Sequence, residues 1–243
     1  STTLTDGYAV SGSTTTIATP TLGTFTLGAS TGGVSGAYEE EVPQAYEQVS
    51  DAKETMANQV GNFMDNNFIM YSAPALEVAG ATIQAHLAYS PQATDANVGD
   101  GGTATYDPAV GKGTEAGITI AYEGLKVGVY GAERDRTVPF SAGSTGNYQT
   151  DEFNGAWYAK YTMGPVSIGY SETYMDAGVT ADVESTTASK AERTAGGLFE
   201  GEQMSIAFNV NDNMSISYTT SDETYDTQDD AKTATTSDDD VTE

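Results

Sequence analysis

The sequence predicts an all-β fold, a transmembrane antiparallel β-barrel in a single domain over residues 1–243. Three features predict it: apolar residues recur at every second position, tight turns alternate with long polar loops, and no run of about 18 apolar residues could act as a membrane helix. Composition alone points elsewhere, since 38% hydrophobic residues and a mean hydropathy of -0.37 suit a water-soluble chain. A barrel strand, however, turns apolar side chains to lipid only at alternate positions, so its average stays near neutral. Low hydropathy therefore does not decide against the membrane.

From the N-terminus, a loose strand around Tyr8 to Ala18 precedes a turn over Thr19-Pro20-Thr21-Leu22-Gly23. Phe25 and Leu27 then alternate with Thr24, Thr26 and Gly28. The stretch Ser30 to Asp65 is the longest connection, rich in carboxylates and with helix-forming character around Pro43 to Gln59. A strand from Asn67 to Ser72 follows, joined by Pro74 to Gly80 to one in which Ile83, Ala85, Leu87 and Tyr89 face away from Gln84, His86 and Ala88. Three hairpins of one design come next. In the first, Ile118, Ile120 and Tyr122 share a face, Glu123-Gly124 turns, and Leu125, Val127 and Val129 oppose Lys126, Gly128 and Tyr130. The second runs from Trp157, Ala159 and Tyr161 through Met163-Gly164-Pro165 to Val166, Ile168 and Tyr170. The third runs from Met204, Ile206, Phe208 and Val210 through Asn211-Asp212-Asn213 to Met214, Ile216 and Tyr218. The sum is about ten strands on this periodicity.

Loops are expected at roughly Pro91 to Glu115, Asp135 to Asp151, Asp176 to Gly201 and Thr227 to Glu243. Compact soluble domains seldom carry repeated loops of this length, whereas barrels place short turns at one end and long loops at the other. Nine Lys and Arg against 35 Asp and Glu give a net charge of -26, much of it in or beside these loops, as at Asp222, Glu223, Asp226, Asp229 and Asp230. Such a surface repels phosphate backbones, which excludes nucleic acid as a partner. With no cysteine, disulfide frameworks and thiol chemistry are excluded too.

Several segments together resemble the general porins of Gram-negative bacteria, of the alphaproteobacterial and neisserial-like type. They are Gly23-Thr24-Phe25-Thr26-Leu27-Gly28 before the acidic stretch and Asn66-Asn67-Phe68-Ile69-Met70-Tyr71-Ser72-Ala73-Pro74 after it. The strand-turn-strand units Tyr122 to Tyr130 and Met163 to Tyr170 complete the set. The resemblance implies a sixteen-stranded barrel in the outer membrane of a Gram-negative cell, assembled as a homotrimer and passing small hydrophilic solutes and ions by diffusion. It makes residues 30–65 a constriction loop folded inside the barrel. Phe25 to Ala29 then resembles the family's fifth strand, and the expected chain is partial, without the first strands or the closing strand with its C-terminal Phe.

On that reading function is sieving, and charged side chains at the constriction set ion preference. The resemblance assigns the acidic side to Glu39, Glu40, Glu41, Glu47, Asp51 and Glu54, while strand parity puts Lys126 and Lys160 on the lumen side. The strong acidic bias predicts cation preference. No cofactor is expected, and no enzyme activity, because nucleophile elbow, phosphate loop and zinc spacing are all missing. His86, the sole histidine, reads as inert. Ca2+ or Mg2+ bridging loop carboxylates such as Asp238 to Asp240 is the weakest of these expectations, resting only on oxygen-ligand chemistry. The competing reading is a secreted or surface-layer acidic β-sandwich binding cations or partners, whose strands would bury one face in a dry core.

Overall fold

In the computed structural model the residues described are 13–29, 33–39, 41–45, 64, 68–91, 93, 110–136, 151–176, 198–211, 213–226 and 240–242. They contain twelve strands in one antiparallel sheet. These are β1 (Ser13–Thr19), β2 (Gly23–Ala29), β3 (Phe68–Ser72), β4 (Leu76–Val78), β5 (Ala81–Ser90), β6 (Val110–Tyr122), β7 (Leu125–Arg136), β8 (Glu152–Met163), β9 (Val166–Asp176), β10 (Leu198–Asn211), β11 (Met214–Asp226) and β12 (Asp240–Thr242). Apart from β4, which pairs with β5 off the main path, each strand pairs with the next in sequence. The sheet is open, with β1 and β12 at its two edges, so closure into a barrel is not seen among the described residues.

The three expected hairpins are present, with Tyr122 opposite Leu125, Met163 opposite Val166 and Asn211 opposite Met214, so that Met163 and Asn211, read as turn residues, close the strands instead. Their turns are forced locally. Glu123 (φ 51) and Gly164 (φ 59) take left-handed backbone, and at the third the Asn213 amide donates to Asn211 Oδ1 at 2.9 Å. Between β1 and β2, Thr19 Oγ1 donates to the Gly23 carbonyl at 2.8 Å and accepts the Leu22 amide at 3.0 Å.

The strand count exceeds the sequence-based estimate in instructive places. Pro74 to Gly80, read as a connection, contains β4, too short at three residues to show an alternation. Ala79 (φ 50) and Gly80 (φ 84) close it onto β5 as a two-residue hairpin loop. The expected loops also shrink, since β6 starts at Val110, β10 at Leu198, and β12 lies inside the last of them. Here the ladder continues after the hydrophobic alternation has stopped. Thr114, Ala116, Glu200 and Glu202 occupy the positions that carry Ile or Met further along the same strands.

The two faces of the sheet are inverted relative to a water-soluble β-layer. One face carries Ile118, Ile120, Val129, Ile168, Ile206, Ile216 and Tyr218, all exposed. The other buries Glu115, Glu152, Asn154, Ser171, Gln203 and Glu223. No second sheet packs on the apolar face among the described residues.

The apolar band crosses the hydrogen-bonded rows at a slant. On β1 to β5 it includes the row Ile17, Phe25, Tyr71, Leu87. That row continues through Ala116, Gly131, Gly155, Tyr174 and Glu200 to Thr224, and so runs out of the band. On β6 to β11 the band has moved to the row Tyr122, Leu125, Tyr161, Ile168, Ile206, Tyr218. A flat belt drawn across the strands would require them to tilt.

Candidate functional site

The polar face is shaped by what lies on it. Residues 33–39 and 41–45 cross it from Glu115 on β6 to Ser217 on β11, and glycines on its polar side make the room. A Cβ at Gly117 would overlap the Tyr38 ring, and one at Gly169 would overlap Pro43. Tyr38 is fully buried, stacked on Tyr130 with centroids 5.6 Å apart and edge-on to His86 at 6.4 Å. Burial, with a smaller contribution from Tyr158, holds its hydroxyl well above the usual phenol range, so it stays protonated. Val34, Tyr38, Met64, Phe68, Ala88, Tyr130, Ala132, Ala156 and Tyr158 form a small apolar core beneath this segment.

Backbone contacts fasten the segment along its length. Glu115 Oε2 accepts the Val34 amide at 2.6 Å and Glu115 Oε1 accepts the Tyr130 hydroxyl at 2.8 Å. This carboxylate sits at the start of the 3-10 turn Ser35–Ala37, where amides lack partners within the turn. Further on, the Ser205 hydroxyl donates to the Pro43 carbonyl, and the Ala45 amide donates to Ser217 Oγ at 3.0 Å. Substituting Glu115→Gln replaces one acceptor oxygen by an amide that also donates. It is expected to cost about 1–3 kcal/mol of docking for the turn, the usual penalty for an unmade buried hydrogen bond. Faster hydrogen exchange at the Val34 amide, with the β6–β7 amides unchanged, would be the readout.

Among the described residues, Glu41 is the acid of this set that meets the basic side chains. It pairs directly with Lys160 and lies 4.0 Å from Lys126. Both ammonium groups sit over the Tyr158 ring, 5.5 and 5.6 Å from its centroid, within cation–π range. Tyr158 itself is fully buried, over Gly128. The described part of the site therefore holds two cations against one carboxylate, all partly exposed.

Of the residues expected to act, Glu41, Lys126 and Lys160 meet. Glu39 is half-buried one turn earlier, where its amide donates to the Ser35 carbonyl at 3.2 Å. Glu40, Glu47, Asp51 and Glu54 lie outside the described residues, as does most of the helix expected over Pro43 to Gln59. Its first residues, 43–45, are not helical. Among the described residues no group of three or more His, Asp or Glu could hold a metal ion, and Asp238 and Asp239 lie outside them. His86 lies on the polar face as parity required, its Nδ1 3.0 Å from Ser72 Oγ.

Sequence reasoning missed a second charged cluster. Arg134 forks onto Glu152 with both bonds at 2.9 Å, and Asn154 Nδ2 donates to Glu152 Oε1 at 3.1 Å. It also missed Glu115, which was assigned to a loop. Their signal was present in the parity of β7 and β8, which places Arg134, Glu152 and Asn154 on the same face as Lys126 and Lys160. The apolar face has its own polar border: Trp157 Nε1 donates to Glu172 Oε2 at 2.7 Å and the Tyr170 hydroxyl to Glu172 Oε1 at 2.6 Å. No protein-family model, characterised protein or solved structure matches the chain, so the geometry carries the functional argument alone.

Proposed function

We propose that this chain contributes strands to a porin-like β-barrel of the Gram-negative outer membrane, through which small hydrophilic solutes and ions diffuse. The observation that supports it most is the inverted sheet, apolar on its exposed side and polar on the side crossed by residues 33–39 and 41–45. In lipid the apolar side is the favourable exterior, and the polar side becomes a wet lumen wall. The slant of the apolar band across the rows fits strands tilted by roughly 35–45° to a barrel axis. Tyr122, Tyr161 and Tyr218 near the turns, and Trp157 and Tyr174 further towards the other end, suit the two aromatic girdles of such a wall.

Residues 33–39 and 41–45 then act as the constriction, with Glu41 against Lys126 and Lys160 on the pore wall. The net charge of -26 favours cations at the mouth, while the lysine pair moderates that preference at the narrowest described point. The assembly is a homotrimer in this reading, and the edges of β1 and β12 are paired in the finished barrel because lipid tolerates no open edge.

The test is biochemical and electrical. The protein extracted in detergent is expected to migrate as a heat-modifiable oligomer and to give ohmic conductance steps with a cation-selective reversal potential in planar bilayers. A soluble monomer without detergent, or an anion-selective channel, would sink respectively the membrane reading and the cation preference.

A further inference from the structure

On the apolar face lies a groove of about 580 Å³, floored by Ala159 and walled by Leu125, Tyr161, Ile168, Met204 and Ile206. Its floor is low because Ala159 stands between Val127 and Tyr170 in its row, a small side chain among large ones. The next residues on the same face of β8, β9 and β10, Trp157, Glu172 and Glu202, belong to a second hollow, of about 370 Å³, that extends over Gly155. That hollow is lined by Trp157, Tyr174 and the carboxylates Glu172, Glu200 and Glu202. Glu172 and Glu202 are direct cross-strand partners, so two like charges stand side by side. Glu172 is held by hydrogen bonds from Trp157 and Tyr170.

We propose that the groove and hollow form one site for a lipid whose headgroup bears a primary ammonium. The inference rests on the membrane reading, since it places an acyl chain on the apolar face. The groove takes the chain and the hollow takes the ammonium, which lies against Glu172 and Glu202 with the rings of Trp157 and Tyr174 beside it. Charge complementarity selects this occupant. An anionic headgroup meets two adjacent carboxylates on a chain of net charge -26. A quaternary ammonium satisfies the charge but has no N–H to donate to carboxylate oxygens, whereas a primary ammonium donates three. A metal ion is the weaker fit, because no three of these carboxylates converge on a metal position among the described residues.

Trp157 is the chain's sole tryptophan, which makes the site directly readable. The full chain is refolded into phosphatidylcholine vesicles containing a small fraction of brominated phosphatidylethanolamine, phosphatidylcholine or phosphatidylglycerol with identical acyl chains. Bromine quenches Trp157 when the lipid occupies the groove. Phosphatidylethanolamine is expected to quench about threefold more strongly than phosphatidylcholine at equal fraction, as one solvent-exposed ion pair would give, and phosphatidylglycerol least. The double substitution Glu172→Gln with Glu202→Gln should remove the difference, and Ala159→Phe, which fills the groove, should remove it while leaving insertion intact. Equal quenching by the three lipids in inserted protein overturns the site. So does stronger quenching by phosphatidylglycerol, or no quenching by any of them, the result expected if a second copy covers the groove. Failure to insert, seen as absent heat-modifiable migration and complete trypsin digestion, overturns the membrane reading and the site with it.

Discussion

Gly117→Leu is expected to evict the Tyr38 ring from the strand face and release residues 33–39 and 41–45, at a cost of about 3–5 kcal/mol, the usual loss for a buried aromatic anchor. The overlap is direct, because even a Cβ at position 117 would occupy the space of the ring's outer atoms. Tyr38 cannot retreat sideways, since Tyr130 and Tyr158 flank it and both are buried. Tyr38→Ala should give the same release by removing the ring instead of its seat. The two changes should therefore be strongly non-additive, with Gly117→Leu nearly neutral in the Tyr38→Ala background. Hydrogen exchange at the Val34 and Ala45 amides measures the release, and in bilayers the unit conductance should rise. Gly131→Ala on the apolar face, whose nearest neighbour is Phe153 at 4.0 Å, is the control that should do neither. If Gly117→Leu costs the same with and without Tyr38, steric seating is the wrong explanation.

Removing the basic pair, by Lys126→Ala with Lys160→Ala, is expected to leave stability almost unchanged and to raise cation selectivity sharply. These ammonium groups are partly exposed, so their pairing with Glu41 contributes about 1 kcal/mol or less. Their effect on a permeating ion is larger in relative terms. One charge about 5 Å from the ion path in water alters its energy by roughly 0.8 kcal/mol before screening. At about 0.1 M salt that corresponds to a two- to threefold change in ion occupancy for each lysine, in opposite directions for cation and anion. The cation-to-anion permeability ratio should then rise by roughly tenfold or more for the pair, declining as salt is raised. A ratio that does not move places the lysines away from the path.

The hairpins were legible in the sequence because each carries its own evidence: a period of two on both arms and a turn whose residues tolerate left-handed backbone. Parity alone put Lys126, Lys160 and His86 on the correct face. It could not show that Glu41 reaches the lysines, because that contact depends on Tyr38 and Pro43 seating on Gly117 and Gly169 far along the chain. Glu115 was hidden for a different reason. Its neighbours Thr114 and Ala116 erase the hydrophobic alternation, so the strand looked finished while its ladder with β7 continued through Ala116, Glu115 and Thr114 to Gly113 and, past an irregularity, Val110. β4 is three residues long and had no period to read.

The meander order of the sheet also dictates a sequence of events in time. Every strand on the main path pairs with its chain neighbour, so the sheet can grow hairpin by hairpin with only short loops to close at many steps. Residues 41–45 are the exception, because the Pro43–Ser205 and Ala45–Ser217 bonds span 162 and 172 residues. Those two bonds have no partner until β10 and β11 are in place. The segment that narrows the polar face must therefore settle after most of the wall around it exists, late in folding, and slow docking of that strap on an otherwise finished sheet is the kinetic phase to seek.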